Sequence, residues 1–138
     1  MKLFGFNITK INAEKFSGSA GELKINTKLD IKEILDSKSE TFKIKEELIS
    51  VDFVFSIDYD PNLAHIEIGG RLVLGLDSKI AKDVLKEWKD KKISEEFRIF
   101  LFNIILKKAS LKALEIEEDM NLPFHIQFPS FKKADEKE

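Results

Sequence analysis

No cysteine occurs among the 138 residues. That excludes disulfides, thiolate metal sites and cysteine nucleophiles, and it fits a reducing compartment. Histidine occurs only at His65 and His125, so a metal site would have to rest on carboxylates. Arginine occurs only at Arg71 and Arg98, within 23 basic residues set against 25 acidic ones. A net charge of −2 lacks the concentrated basic charge that phosphate neutralisation needs, so nucleic acid is not an expected partner. Long apolar runs are missing too. The first residues, MKLFGFNITKINAEKF, alternate where a secretion signal needs a continuous apolar core. The most apolar stretch, FRIFLFNIIL at 97–106, is too short to span a bilayer. The expectation is a cytoplasmic protein with no membrane span.

What is present is strong periodicity. Leu23, Ile25, Thr27, Leu29 and Ile31 alternate with Glu22, Lys24, Asn26, Lys28, Asp30 and Lys32, the pattern of an antiparallel strand with one wet face. Phe4, Phe6 and Ile8 repeat less regularly, and a one-residue shift to Ile11 implies a bulge. FSGSAG between these strands reads as a turn. Further on, Ile49, Val51, Phe53, Phe55, Ile57 and Tyr59 share one face, and Asp60-Pro61-Asn62 turns the chain into LAHIEIGGRLVLG. The mid-strand pair Gly69-Gly70 marks a bulge, a bend or a close backbone approach.

The period then changes. Asp77 or Ser78 can cap a helix whose stripe is Ile80, Val84, Leu85 and Trp88. Ser94, Glu95 and Glu96 open a second helix, over 94–116. Pro123 and Pro129 make the closing NLPFHIQFPSF an extended segment rather than a helix. The expected architecture is α+β: a four-stranded antiparallel sheet built of hairpins, then two helices and a short extended C-terminal segment. One domain over 1–131 with a charged tail at 132–138 accounts for the whole length.

No catalytic constellation emerges. His65 and His125 read as surface or partly buried side chains, Asp58 and Asp60 as turn chemistry, and Glu115, Glu117, Glu118 and Asp119 as a solvated helix face. Gly69-Gly70 is followed by neither Lys-Ser nor Lys-Thr, and no G-x-S-x-G elbow occurs. No enzyme activity, metal or cofactor is expected. The distinctive feature is apolar excess: 12 phenylalanines against one tyrosine and one tryptophan. Eight of the ten residues at 97–106 are large and apolar, on every face of a helix that a two-layer domain can cover on one side only. Burial in an ordinary core is one outlet. An oligomer interface through Phe97, Phe100, Phe102, Ile104 and Ile105, giving a dimer or tetramer, is the expected one.

The element order, the glycine strand HIEIGGRLVLG and the ending LPFHIQFPSF, with Pro123, Pro129 and Phe131, resemble the SecB-type protein-export chaperones. Gly70 stands at that family's strand glycine and Leu72 where an aromatic would be. The resemblance implies ATP-independent binding of unfolded or precursor polypeptides in an apolar groove, for which Phe124, Phe128, Phe131 and Leu72 are the candidate client-binding residues. Phe124 and Phe128 share a face if the segment is extended, and Phe131 joins them if Pro129 turns the chain. The family's acidic sheet face docks a translocation motor. Here that face mixes Lys24, Lys28, Lys43 and Lys45 with Glu22, Asp30, Asp52 and Asp58, so client binding carries over better than motor binding. Export, a toxin–antitoxin role and general holding stay open. So does an oligomeric structural or ligand-binding protein of the same fold.

Overall fold

The computed structural model describes residues 1–16, 22–37 and 47–133. Most of the FSGSAG turn, Lys43, Lys45 and most of the charged tail lie outside the described residues. Four strands are followed by two helices: β1 (Lys2–Lys15), β2 (Lys24–Asp36), β3 (Glu47–Asp60), β4 (Ala64–Leu76), α1 (Ser78–Trp88) and α2 (Glu95–Asp119). The architecture is α+β, as the periodicities predict.

The sheet order is β1-β4-β3-β2 and every pairing is antiparallel. This is a Greek-key order rather than a chain of hairpins. β1 and β2 therefore do not pair but form opposite edges of the sheet. The physical reason lies in their composition. β3 and β4 carry unbroken apolar faces that need cover, and they sit in the middle. β1 and β2 carry bulges and outward lysines, which suit edges. The side chains of Phe53, Phe55, Ile57, Tyr59, Ile66, Ile68, Leu72 and Leu74 are fully buried beneath the helices. α1 covers β2 and β3, and α2 crosses β4.

The expected bulge lies between Ile8 and Lys10, and a second falls between Leu3 and Gly5. The second one removes Phe4 from the face of Phe6 and leaves it exposed. Of the three readings left open for the glycine pair, Gly70 shows a close backbone approach. A Cβ there would stand 2.5 Å from the Asn7 carbonyl oxygen and 2.8 Å from the Phe53 ring. That ring in turn stacks on Phe6 at 5.3 Å.

The opposite face of the sheet is wet. Lys10 pairs with Glu67 at 2.8 Å, the Arg71 guanidinium forks onto both Asp52 oxygens, and His65 meets Asp58 at 2.6 Å. Lys24 and Lys28 are exposed on that face, Lys28 beside Asp30 at 3.6 Å. Such pairs contribute little. Lys24→Ala and Lys28→Ala are each expected to change stability by less than about 0.5 kcal/mol in urea titrations. A loss of several kcal/mol from either would mean that something covers this face.

Both helices end in Schellman turns. After α2, Asn121 takes φ 52° while Leu122 N–H bonds the Glu117 carbonyl at 2.9 Å, which swings Leu122 back into the core. After α1, Lys91 takes φ 56° while Lys92 N–H bonds the Glu87 carbonyl at 3.1 Å. The Ser94 hydroxyl caps α2 by accepting from Phe97 N–H at 3.3 Å.

Candidate functional site

α2 explains what happens to the apolar stretch at 97–106. Phe97, Leu101, Ile105, Ala109, Ala113 and Glu117 are buried, each four residues from the last. This stripe faces the protein's own core. Phe97 and Ile105, expected at an oligomer interface, therefore belong to the core and have no surface to offer a partner. Phe100, Phe102 and Ile104 are half-buried. The uncovered apolar stripe is Ile99, Phe102 and Leu106, at helical steps of three and four, with Ile99 55% exposed. Sequence spacing alone did not say which side of the helix would meet the sheet.

Phe102 also belongs to an open cleft of about 500 Å³ between the edge strand β2 and the junction of the two helices. Leu29, Ile31, Trp88, Ile93 and Phe102 supply its apolar surface, and Asp30, Lys32, Lys91 and Arg98 its polar groups. Four consecutive residues of β2 line it, so the strand presents its edge there, and no described strand pairs with that edge. Trp88 is fixed in place: its indole N–H donates to Glu33 Oε1 at 2.8 Å, and the Lys91 ammonium lies 4.5 Å from the ring centre. The bond from Trp88 is the main reason the Glu33 carboxyl is held below the usual carboxylate range.

The C-terminal segment is held down by a buried polar cluster. Glu117 is fully buried, which corrects its assignment to a solvated face. Its carboxylate accepts from the Tyr59 hydroxyl, from His125 N–H at 3.0 Å and from His125 Nδ1 at 2.8 Å. The Tyr59 oxygen also lies 2.9 Å from the Pro123 carbonyl. Burial first, and then the bond to Glu117, raise the Tyr59 phenol far above its ordinary range, so it stays a donor. The His125 ring is almost wholly buried, lies edge-on to Phe55 at 6.0 Å and leaves Nε2 without a partner. A side chain that sealed meets no substrate, and the cluster's work is to fasten residues 122–128 against β3.

That fastening shapes the phenylalanines. The chain bends at His125–Ile126 instead of running extended, and the Phe124 and Phe128 rings meet edge-on at 5.2 Å. Four extended residues would put them about 13 Å apart. Both remain exposed, Phe128 by 54%. Phe131 stands fully in solvent and does not join them. Leu72 is a correction as well: it faces the helices between Phe6 and Val51, fully buried, and has no surface for a client. Among the described residues no three acidic or histidine side chains gather as metal ligands. Among the same residues no helix is long and apolar enough to cross a membrane.

No family model and no curated protein matches the sequence. A solved structure does match. The Mycobacterium tuberculosis Rv1957 SecB-like chaperone, in complex with a ChAD peptide from Rv1956 HigA1 antitoxin, aligns with a TM-score of 0.56 over 94% of this chain and 89% of that one. The fold is SecB-like. At 7% identity the likeness is one of backbone architecture, and it agrees with the sequence-level resemblance at the level of the fold. On the SecB-like fold of this chain, the open cleft and the Phe124–Phe128 pair are among the apolar surfaces left uncovered, beside the α2 stripe.

Proposed function

We propose that the protein is an ATP-independent chaperone that holds unfolded polypeptides, and that it works without any catalytic step. One observation carries this reading: a SecB-like fold keeps large apolar side chains open to solvent around a strand edge that no described strand pairs with. Holding an unfolded chain requires nothing more. Apolar side chains of the client are buried at roughly 25 cal/mol per Å², and the edge of β2 satisfies client backbone groups that would otherwise lose their water. Because the apolar term does not depend on sequence, many clients fit. The SecB-like neighbour was solved with a peptide bound, which supports the same use here. Within the family resemblance, the site acts in the cytoplasm on unfolded or precursor chains, for export, for a toxin–antitoxin pair or for general holding. The mixed charge of the wet sheet face gives a translocation motor less to dock on. The direct test is co-elution. A reduced, urea-unfolded client diluted into the protein should co-elute with it on size exclusion without nucleotide, and a client that elutes only as aggregate overturns the reading.

The exposed Ile99 and Leu106 support a homo-oligomer, dimer or tetramer, whose copies cover that part of one another's α2 and leave Phe102 to the cleft. Light scattering at tens of micromolar should give a mass above one chain. The double substitution Ile99→Asp with Leu106→Asp should return a folded monomer with full helix content. A monomeric wild type would leave the stripe without a partner copy. It would also remove the main support for the rival reading, an oligomeric structural or ligand-binding protein with no client.

A further inference from the structure

The β2 cleft carries an asymmetry that apolar holding leaves unused. Its cations come from three separate elements: Lys32 from β2, Lys91 from the turn after α1, and Arg98 from the first turns of α2. Among the described residues none of the three makes a close ion pair: Arg98 donates to the Ile93 carbonyl at 3.5 Å, and Lys91 and Lys32 act on Glu33 and Glu67 only through longer-range attraction. The acid among the lining residues, Asp30, is engaged by Lys28 at 3.6 Å, and the Glu33 carboxylate accepts from the Trp88 indole and offsets part of the Lys91 charge. Three cations against one lining acid, with no close ion pair to any of the three among the described residues, thus ring an apolar floor in a protein whose net charge is −2.

Lys91 adds a second, independent sign. It occupies the left-handed position of a Schellman turn, at φ 56°, where glycine is the residue without a backbone penalty. A lysine there sacrifices stability to set its ammonium over Trp88, at the cleft. We infer that the cleft selects extended apolar segments that carry acidic side chains beside the residue anchored on Trp88 and Phe102. This rests on the client-holding reading above and names the class of client that fills one of its surfaces. The client's apolar side chain enters between Leu29, Ile31 and Trp88, while its flanking carboxylates meet Lys32 and Arg98 at the rim and Lys91 above the indole.

The probes are short labelled peptides of alternating leucine and serine, identical except that two flanking positions are both glutamate, both glutamine or both lysine. Anisotropy reads affinity. The emission of Trp88, the one tryptophan in the chain, reports occupancy of this cleft. The glutamate peptide should bind roughly fivefold to tenfold more tightly than the lysine peptide at low salt. That preference should collapse near ~0.5 M salt, as screening removes contacts at the rim. Lys32→Glu combined with Arg98→Glu should reverse the order. Lys91→Gly should narrow the preference while the thermal midpoint stays the same or rises, which a purely structural lysine would not allow. Equal affinities with a full Trp88 response overturn the charge selection and leave client holding intact. A lysine peptide that binds more tightly overturns it as well. No binding and no Trp88 response defeat both readings. An emission that shifts with protein concentration alone assigns the cleft to a second copy of the chain and overturns the proposal.

Discussion

Glu117→Ala is expected to cost the fold about 3–5 kcal/mol, the loss seen when one member of a buried polar pair is removed and its partners stay behind. Three donors aim at this carboxylate: the Tyr59 hydroxyl, His125 N–H and the His125 ring. The Tyr59 hydroxyl has a second acceptor in reach, the Pro123 carbonyl at 2.9 Å, but the two His125 donors have none in a site this closed, since the His125 ring is 4% exposed and Glu117 not at all. Each donor left unpaired costs about 1–3 kcal/mol. Glu117→Gln keeps the volume and one acceptor oxygen but turns an N–H₂ group toward donors, so about 2 kcal/mol is expected there. Urea unfolding followed by Trp88 emission measures both. The alanine variant should also free residues 122–128, and with them the Phe124–Phe128 pair. A loss below about 1 kcal/mol would mean that the C-terminal segment is held by Leu122 packing alone and not by this carboxylate.

Gly70→Ala should destabilise by about 3 kcal/mol, at the upper end of overpacking costs. Its Cβ would meet the Asn7 carbonyl at 2.5 Å and the Phe53 ring at 2.8 and 2.9 Å. The carbonyl belongs to β1, and moving it strains the β1–β4 ladder on either side of the Ile8–Gly70 pairing. The ring cannot swing freely, because it is fully buried and stacked on Phe6. Gly69 is the internal control. A Cβ there comes no closer than 3.5 Å, to the Lys10 Cβ, so Gly69→Ala should change stability by under about 1 kcal/mol. Equal effects at the two positions would refute the packing account of the glycine pair.

These two sites also show what was legible in the sequence. The glycine pair inside an otherwise apolar strand signalled a bulge, a bend or a close approach, but not which of these, nor that Gly70 rather than Gly69 makes it. The strands themselves could be read from strict alternation, and the start of α2 from Ser94-Glu95-Glu96. Strand order could not. Alternation says which face of a strand is apolar but nothing of its neighbour, so β1 and β2 passed for hairpin partners although they lie on opposite edges. Glu117 was misplaced for a related reason. Its neighbours Glu115, Glu118 and Asp119 are exposed, and the company suggested a solvated face. A signal did exist: counting in fours from Phe97 through Leu101, Ile105, Ala109 and Ala113 reaches Glu117 on the buried stripe. The same count assigns Phe97 and Ile105 to the core and leaves Ile99 and Leu106 outside. Leu72 was carried by a family motif, while its own parity, shared with Ile66, Ile68 and Leu74, already placed it inside. The bend at His125–Ile126 depends on a carboxylate eight residues earlier in the chain, and no local pattern encodes it.

The central claim is that open apolar surface on this SecB-like fold holds unfolded chains. It is tested most directly by light scattering from a reduced, aggregating client, in the absence of nucleotide, with the protein added from substoichiometric to excess amounts. Scattering should fall in proportion to added protein and vanish near a fixed ratio. A variant with Leu29→Asp and Phe102→Asp that remains folded by circular dichroism should suppress it poorly. Undiminished scattering at excess wild-type protein would contradict the account.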